Sequence, residues 1–298
     1  MKKTKILIGS IIMAAALLVT SCGGSGSGSG SGAQGKSGGG KKDIFDIEDG
    51  VIYGLTDSGK KEKEIVIPAG CKEFSGAICE GASFTTVSFE SDDDVAIKLT
   101  FSGSETLENI TLPKNLKSFN PMVFQKCTAL KSITIPDGIT ELPIASFNGC
   151  TNLKTVTLSS SLTKIGSDCF ADCSSLEGIS FPSTLKTIGR EAFDGCSSIK
   201  SIELPEGLTT LENSVFSYCE SLTTVKLPAS LKEVGTNMIY KSGVTDIYVP
   251  ADMELTSYDS TSFLNPGSQV VIKVHVAQGS WADQNFDEVF PGAEKVYD

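Results

Sequence analysis

The residues with the most chemical potential in this chain are its nine cysteines. Five of them, Cys127, Cys150, Cys173, Cys196 and Cys219, recur every 23 residues. Cysteines in an exported chain can form a disulfide framework, but here the spacing argues for another state. Like side chains in successive stacked repeats stand about 4.8 Å apart, whereas the Cβ atoms of a bridge lie about 3.8 Å apart. The five are therefore predicted to form a buried column of thiols acting as small apolar residues. Cys71 and Cys79 lie outside the column, and a bridge between them stays open. Zinc needs closely spaced ligand pairs, yet no C-x-x-C occurs and Cys169 and Cys173 are the nearest pair.

Other candidate chemistry is sparse. His275 is the single histidine and lies in the alternating run Val274-His275-Val276, so it reads as a surface strand residue rather than the base of a triad. The run Asp92-Asp93-Asp94 beside Glu90 offers hard oxygen ligands of the kind calcium takes. Its acids are adjacent rather than alternating, which favours a solvated loop. The Gly/Ser tract before Gly40 precedes no helix and makes no phosphate loop. A glycosidase requires only two carboxylates, but no acid pair stands out from the repeat. The expectation is a protein that is not an enzyme, with no metal and no cofactor.

What must position these residues is a repeat. Phe124, Phe147, Phe170, Phe193 and Phe216 keep the same 23-residue interval as the cysteines, and a period of that size marks units that bury their apolar faces only by stacking. Aligned at the phenylalanine, the units read F-x-x-C-x-x-L-x-x-I-x-I-P-x-x-L-x-x-I-x-x-x-x-F. The first contains Cys127, Leu130, Ile133, Ile135, Pro136, Ile139 and Leu142. Ser159 replaces the proline in the next unit. Phe101 and Leu107 extend the register upstream without the cysteine, and Ile247, Val249 and Pro250 extend it downstream.

Apolar residues one apart, such as Ile133 and Ile135, have strand periodicity. Stacked units make these a parallel sheet, each strand ended by proline, which lacks a ladder donor. Segments such as Ser146 to Cys150 are too short for a full helix and are expected to be helical turns or loops. The residues between the apolar ones point outward: Asn109 and Thr111, Ser132 and Thr134, Thr155 and Thr157, Gly178 and Ser180, Ser201 and Glu203, Thr224 and Lys226, Asp246 and Tyr248. This hydroxyl-rich column is the candidate binding face, suited to a glycan or an extended peptide. Serine and threonine also suit any exposed strand, and aromatic anchors are nearly missing from it.

The pattern resembles the BspA-type leucine-rich repeat, strongly from Phe101 to Pro250 and loosely from Ile65 to Thr100. The resemblance implies a leucine-rich-repeat solenoid of 23-residue repeats and a role in adhesion or recognition at a bacterial surface, without naming a ligand.

The ends of a stack need covering. Residues 43–100 are read as an N-terminal β cap with degenerate repeats, a small hairpin being expected before Pro68. Residues 101–250 are the repeats proper, and 251–298 an α/β cap. Within the latter, Val270 to Val276 reads as a strand, and Ser280-Trp281-Ala282-Asp283 opens a short helix that Gly292 stops.

At the other terminus, Lys2, Lys3 and Lys5 precede an apolar run from Ile6 to Val19. Together with the small residues before Cys22, this reads as a signal peptide over 1–21. Its end resembles a lipobox, which implies lipidation of Cys22, followed by a Gly/Ser tether over 22–42. Without the leader the chain carries 22 basic and 36 acidic residues, a net of −14, which opposes nucleic acid or anionic lipid as direct partners. The expectation is an outer-membrane lipoprotein, surface-exposed or periplasmic, held to the membrane only by its N-terminal lipid. It binds a protein or glycan, or else serves as a structural module of an envelope complex without a soluble ligand.

Overall fold

A computed structural model of the protein describes residues 44–298 apart from 72, 75–77, 93–99, 267 and 269. The leader, Cys22 and the tether lie outside the described residues, as do Asp93 and Asp94 of the acidic run.

The chain is a parallel β solenoid of about 10 turns spaced by about 23 residues, with few helices. Most turns join their neighbours through strands that pair in register. On the first face, Glu64–Ile67, Thr86–Phe89 and Asn109–Ile110 form one parallel sheet, and Ser132–Thr134 pairs with Thr155–Thr157. Ser201–Glu203, Thr224–Lys226, Asp246–Tyr248, Lys273–Val276 and Glu294–Tyr297 form the third sheet. Alternation works as expected: Ile133, Val156, Ile202 and Val225 point inward and are buried, while their neighbours remain at the surface.

A second parallel sheet runs along the stack, with no counterpart in the sequence pattern. It joins Glu141–Leu142, Lys164–Ile165, Thr187–Ile188, Thr210–Leu211 and Glu233–Val234. Two residues per strand give no visible period in a sequence, so only their buried apolar members registered as part of the repeat.

The phenylalanine segments form turns rather than a full helix, as their length implies. Besides bonds across three residues within the turn, they hydrogen-bond from one coil to the next: Phe124 N–H donates to Ser146 O at 2.9 Å, Phe147 N–H to Cys169 O at 2.8 Å and Phe170 N–H to Ala192 O at 2.8 Å. Two residues per segment adopt positive φ, one column running Met122, Ala145, Asp168, Glu191, Ser214 and Asn237, the other Lys126, Gly149, Asp172, Gly195, Tyr218 and Lys241. Left-handed backbone costs most side chains about 1–2 kcal/mol. The inter-coil bonds therefore outweigh local preference at every non-glycine position in those columns.

Inside, the rings of Phe101, Phe124, Phe147, Phe170, Phe193 and Phe216 lie in one file, each at 0% exposure. Their centroids are 5.2–5.6 Å apart and their planes 3–22° from parallel. Beside them runs the thiol column. Each sulfur sits within reach of the phenylalanine carbonyl one coil back, so that Cys150 Sγ donates to Phe124 O at 3.0 Å, Cys173 to Phe147 O at 3.2 Å and Cys196 to Phe170 O at 3.1 Å. The cysteine is thus more than a small apolar filler. Its S–H supplies a second donor to a buried carbonyl that already accepts the N–H of the cysteine in its own coil.

All eight cysteines among the described residues are free thiols, Cys71 and Cys79 included. Burial pushes Cys219 up to about 12 and raises Cys127, Cys150, Cys173 and Cys196 likewise. Ser159, in place of the proline, turns its hydroxyl to Asp137 O in the preceding coil at 3.1 Å.

The caps form much as the sequence implied. Phe45–Glu48 and Val51–Leu55 make an antiparallel hairpin around Asp49 and Gly50, both at positive φ, the backbone a tight two-residue hairpin turn requires. At the other end Ser280 Oγ accepts from Asp283 N at 3.2 Å. The helix there is split into Trp281–Gln284 and Phe286–Val289. Trp281 packs edge-on against Tyr258 at 6.0 Å, a structural placement, and the last strand then completes the sheet. The expected strand at Val270 begins only at Lys273, leaving Val270 and Val271 exposed.

Two outcomes are expected from this core. Replacing Phe170 by alanine at mid-file should cost about 3–5 kcal/mol in urea unfolding, and a loss below about 1 kcal/mol would show that the file does not support the stack. In native protein, the column thiols should fail to react with Ellman's reagent over minutes at pH 8 and react fully in denaturant; fast native labelling would contradict the buried column.

Candidate binding face

The strands of the first face set the outward residues in two rows. Pairing aligns Ser132 with Thr155, and Ser201 with Thr224 and Asp246. The other row aligns Thr134 with Thr157, and Glu203 with Lys226, Tyr248 and His275. Asn109 and Thr111 continue the rows upstream, Thr111 N–H donating to Val87 O at 3.0 Å. Asn109, Thr111, Ser132, Thr134, Thr155, Thr157, Ser180, Ser201, Glu203, Lys226 and Tyr248 are exposed, while Thr224 and Asp246 are half-buried.

One coil departs from the pattern. Gly178, Ile179 and Ser180 form no strand, and among the described residues their backbone makes no hydrogen bond to either neighbouring strand. A glycine at this outward position lowers strand propensity, and a Cβ added there would meet nothing within 4 Å. Ile179 and Phe181 are consequently half-buried, where Ile202 and Leu204 one coil on are buried. Two depressions of about 610 and 550 Å³ meet at this break, sharing Ile179, Ser180 and Phe181.

The C-terminal end of the face carries its charge. Lys226 Nζ pairs with Glu203 at 3.2 Å, an exposed pair that contributes little to stability. His275, expected to be an unremarkable surface residue, is instead clamped: Nδ1 lies 2.9 Å from Asp298 Oδ1 and Nε2 3.2 Å from Asp246 Oδ1. Its ring stacks on Tyr248 at 4.2 Å. Burial works to lower the imidazole pKa, but the hydrogen bonds to Asp298 and Asp246 outweigh it and raise it. Asp246 is held below the usual range by Thr245 first and His275 after it. With a carboxylate on each nitrogen, the imidazole has neither a free lone pair nor a nucleophile to activate. The cluster ties the last strand to the face. Sequence spacing gave no sign of this, since Asp246 and Asp298 lie 29 and 23 residues from His275.

Elsewhere, Asp92 bonds Lys114 through its backbone N–H at 3.0 Å and its ammonium at 3.3 Å. No group of three or more metal-ligating side chains occurs among the described residues. On the turn side, Asp194 is pushed up to about 6, by burial and then by Glu191, Asp172 and Asp168.

The sequence matches the family described as BspA type Leucine rich repeat region, over residues 58–154 and 140–268 in six copies. No curated protein matches it. Among solved structures, the chain is similar to the pneumococcal vaccine antigen PcpA, at 18% identity over 83% of each chain with a TM-score of 0.51. It is also similar to a leucine-rich repeat protein from Bacteroides ovatus, at 21% identity and a TM-score of 0.50; that likeness covers 85% of this chain and 64% of the other. A Treponema pallidum leucine-rich repeat protein is 22% identical over 68% of this chain and 78% of its own, with a TM-score of 0.46. At these identities the likeness concerns the fold.

Two pH dependences follow. A raised histidine pKa stabilises fully below the unfolded value near 6.5 and is lost as pH rises through the folded one; a lowered aspartate pKa stabilises above about 4 and is lost as pH falls through its folded value. His275→Gln should therefore lower Tm by about 2–4 °C near pH 5–6 and by less above pH 8; an equal loss at both would refute the charged clamp. For Asp194 the sign reverses, because a raised carboxylate pKa penalises the fold increasingly from about pH 4 to 6. Asp194→Asn should raise Tm at pH 7.5 and leave it unchanged at pH 4.

Proposed function

The chain belongs to the BspA-type leucine-rich repeat family, and from that premise we propose that it is an envelope-anchored recognition protein that binds a protein or glycan partner through the first sheet face. Members of this family generally mediate protein binding or adhesion, and a leucine-rich solenoid is typically non-enzymatic. The observation that carries the proposal is the face itself: two rows of hydroxyl, amide and charged side chains, set in register by the ladder beneath them from Ser132 to Thr157 and again from Ser201 to Tyr248. Such rows offer donors and acceptors on a backbone that is already in place, which lowers the ordering cost of binding.

Anchoring belongs to the same proposal. Cys22 carries the lipid, the Gly/Ser segment spaces the solenoid from the membrane, and the outer membrane is the site of attachment. Among the described residues no helix is long and apolar enough to cross a membrane.

The test changes Thr134, Thr157 and Glu203 together to arginine and measures binding to the partner selected by the parent protein on glycan and matrix-protein arrays. A loss of tenfold or more is expected, with the far-ultraviolet circular dichroism unchanged, and unaltered binding would falsify the assignment of the face. For the anchor, Cys22→Ala should abolish labelling by radioactive palmitate and release the protein from membrane fractions; retention of both refutes lipidation.

A further inference from the structure

We propose that the break at Gly178 to Ser180 and the acidic groove running from it to the C-terminus form a binding site for an extended peptide segment in which lysine or arginine alternates with apolar residues. This rests on the reading of the sheet face as the recognition surface and assigns it a locus and a partner chemistry.

The argument begins with the missing rung. Toward the C-terminal end of this face each coil bonds the next, as when Leu204 N–H donates to Lys226 O at 3.1 Å and Leu227 N–H to Tyr248 O at 3.0 Å, whereas the strands at Asn109–Ile110 and Ser132–Thr134 are likewise unpaired with each other. At Gly178 to Ser180 those bonds are absent, so the backbone of this segment, flanked by two sheets, is not used by the ladder. Extended chains recognise such unpaired backbone through main-chain hydrogen bonds. The break also uncovers apolar surface. Ile179 and Phe181 are half-buried, and Phe181 rests edge-on at 5.8 Å against Phe193 of the buried file, so the groove floor is continuous with the core.

Charge then selects the occupant. The groove of about 610 Å³ is lined by Glu203, Glu206 and Asp298 against the single cation Lys226, which is already paired with Glu203. Glu206 accepts a bond from Ala229 N at 3.2 Å, and Asp298 is held by His275 at 2.9 Å. The lining retains an excess of negative charge in a chain that is itself strongly acidic, a field that attracts cationic segments and repels anionic ones. Side chains of an extended peptide alternate in direction. One set falls toward Ile179 and Phe181, while the other reaches the carboxylates along the groove wall.

The test uses the purified full chain and three fluorescein-labelled decapeptides in which valine alternates with lysine, serine or glutamate, followed by fluorescence anisotropy. The lysine peptide is expected to bind at least tenfold more tightly than the serine peptide in 50 mM salt and to weaken several-fold in 300 mM, with no saturable binding of the glutamate peptide. Glu206→Lys should reduce lysine-peptide affinity at least fivefold. Glu220→Lys, a charge reversal of an exposed acid outside the groove, should change it less than twofold. Overturning results are equal binding of all three peptides, no saturable binding of the lysine peptide, or an equal effect of Glu206→Lys and Glu220→Lys, which would mean generic attraction to an acidic protein. If the groove fails in this way while the Thr134, Thr157 and Glu203 triple change still abolishes capture of the array-selected partner, the sheet face stands and only this locus falls.

Discussion

The structure depends on the requirement that every coil satisfy its backbone through its neighbours. Few hydrogen bonds within a coil span more than three residues; most of the regular ones join residues about 22 or 23 apart in sequence. No single 23-residue unit could bury its apolar side chains or pair its backbone alone, so the fold exists only as a stack. The phenylalanine carbonyl shows how tightly this is drawn. Phe124 O, fully enclosed, accepts the N–H of Cys127 in its own coil and the S–H of Cys150 in the next. One atom thus fixes the turn within a coil and the distance between coils. Leaving such a buried acceptor short of donors carries a penalty, which the recurring thiol avoids.

That regularity gives the two sides of the molecule different characters. The turn side is held by positive-φ columns whose side chains include acids such as Asp168, Asp172 and Glu191, crowded about Asp194, and its geometry is set almost entirely by backbone bonds. The first sheet face instead carries outward side chains that the core does not need. Their identity changes from coil to coil without disturbing what lies beneath, from Thr134 and Thr157 in the middle to Glu203, Lys226 and Tyr248 near the end. The terminal coils then use the same positions for closure, where His275 bridges Asp246 to Asp298. Variable surface and capping contacts therefore draw on one set of positions at different points along the stack.

Much of this was legible in the sequence because a period is a strong signal. The phenylalanine file, the inward isoleucines and valines, the unbridged column of thiols, and the Ser280 cap follow from spacing and residue type alone. What stayed hidden has a common physical reason. Two-residue strands such as Lys164–Ile165 are too short to show alternation, and the donor role of Cys150 depends on which way a small side chain points, which no pattern encodes. The clamp on His275 needs residues from three coils. The interruption at Gly178 did leave a trace, being the only glycine among the outward positions, yet composition alone does not distinguish a tolerated glycine from a broken rung.

Because no covalent cross-link ties one coil to another among the described residues, the boundary between most interior coils is nearly the same joint: ring on ring and thiol under carbonyl, with strand beside strand except at the interruptions of the first face. A duplicated 23-residue stretch inserted at Phe147 or Phe193 would find neighbours already shaped to receive it. Gene duplication and unequal crossing-over can then lengthen or shorten the rod in whole units, leaving the two caps to travel with its ends.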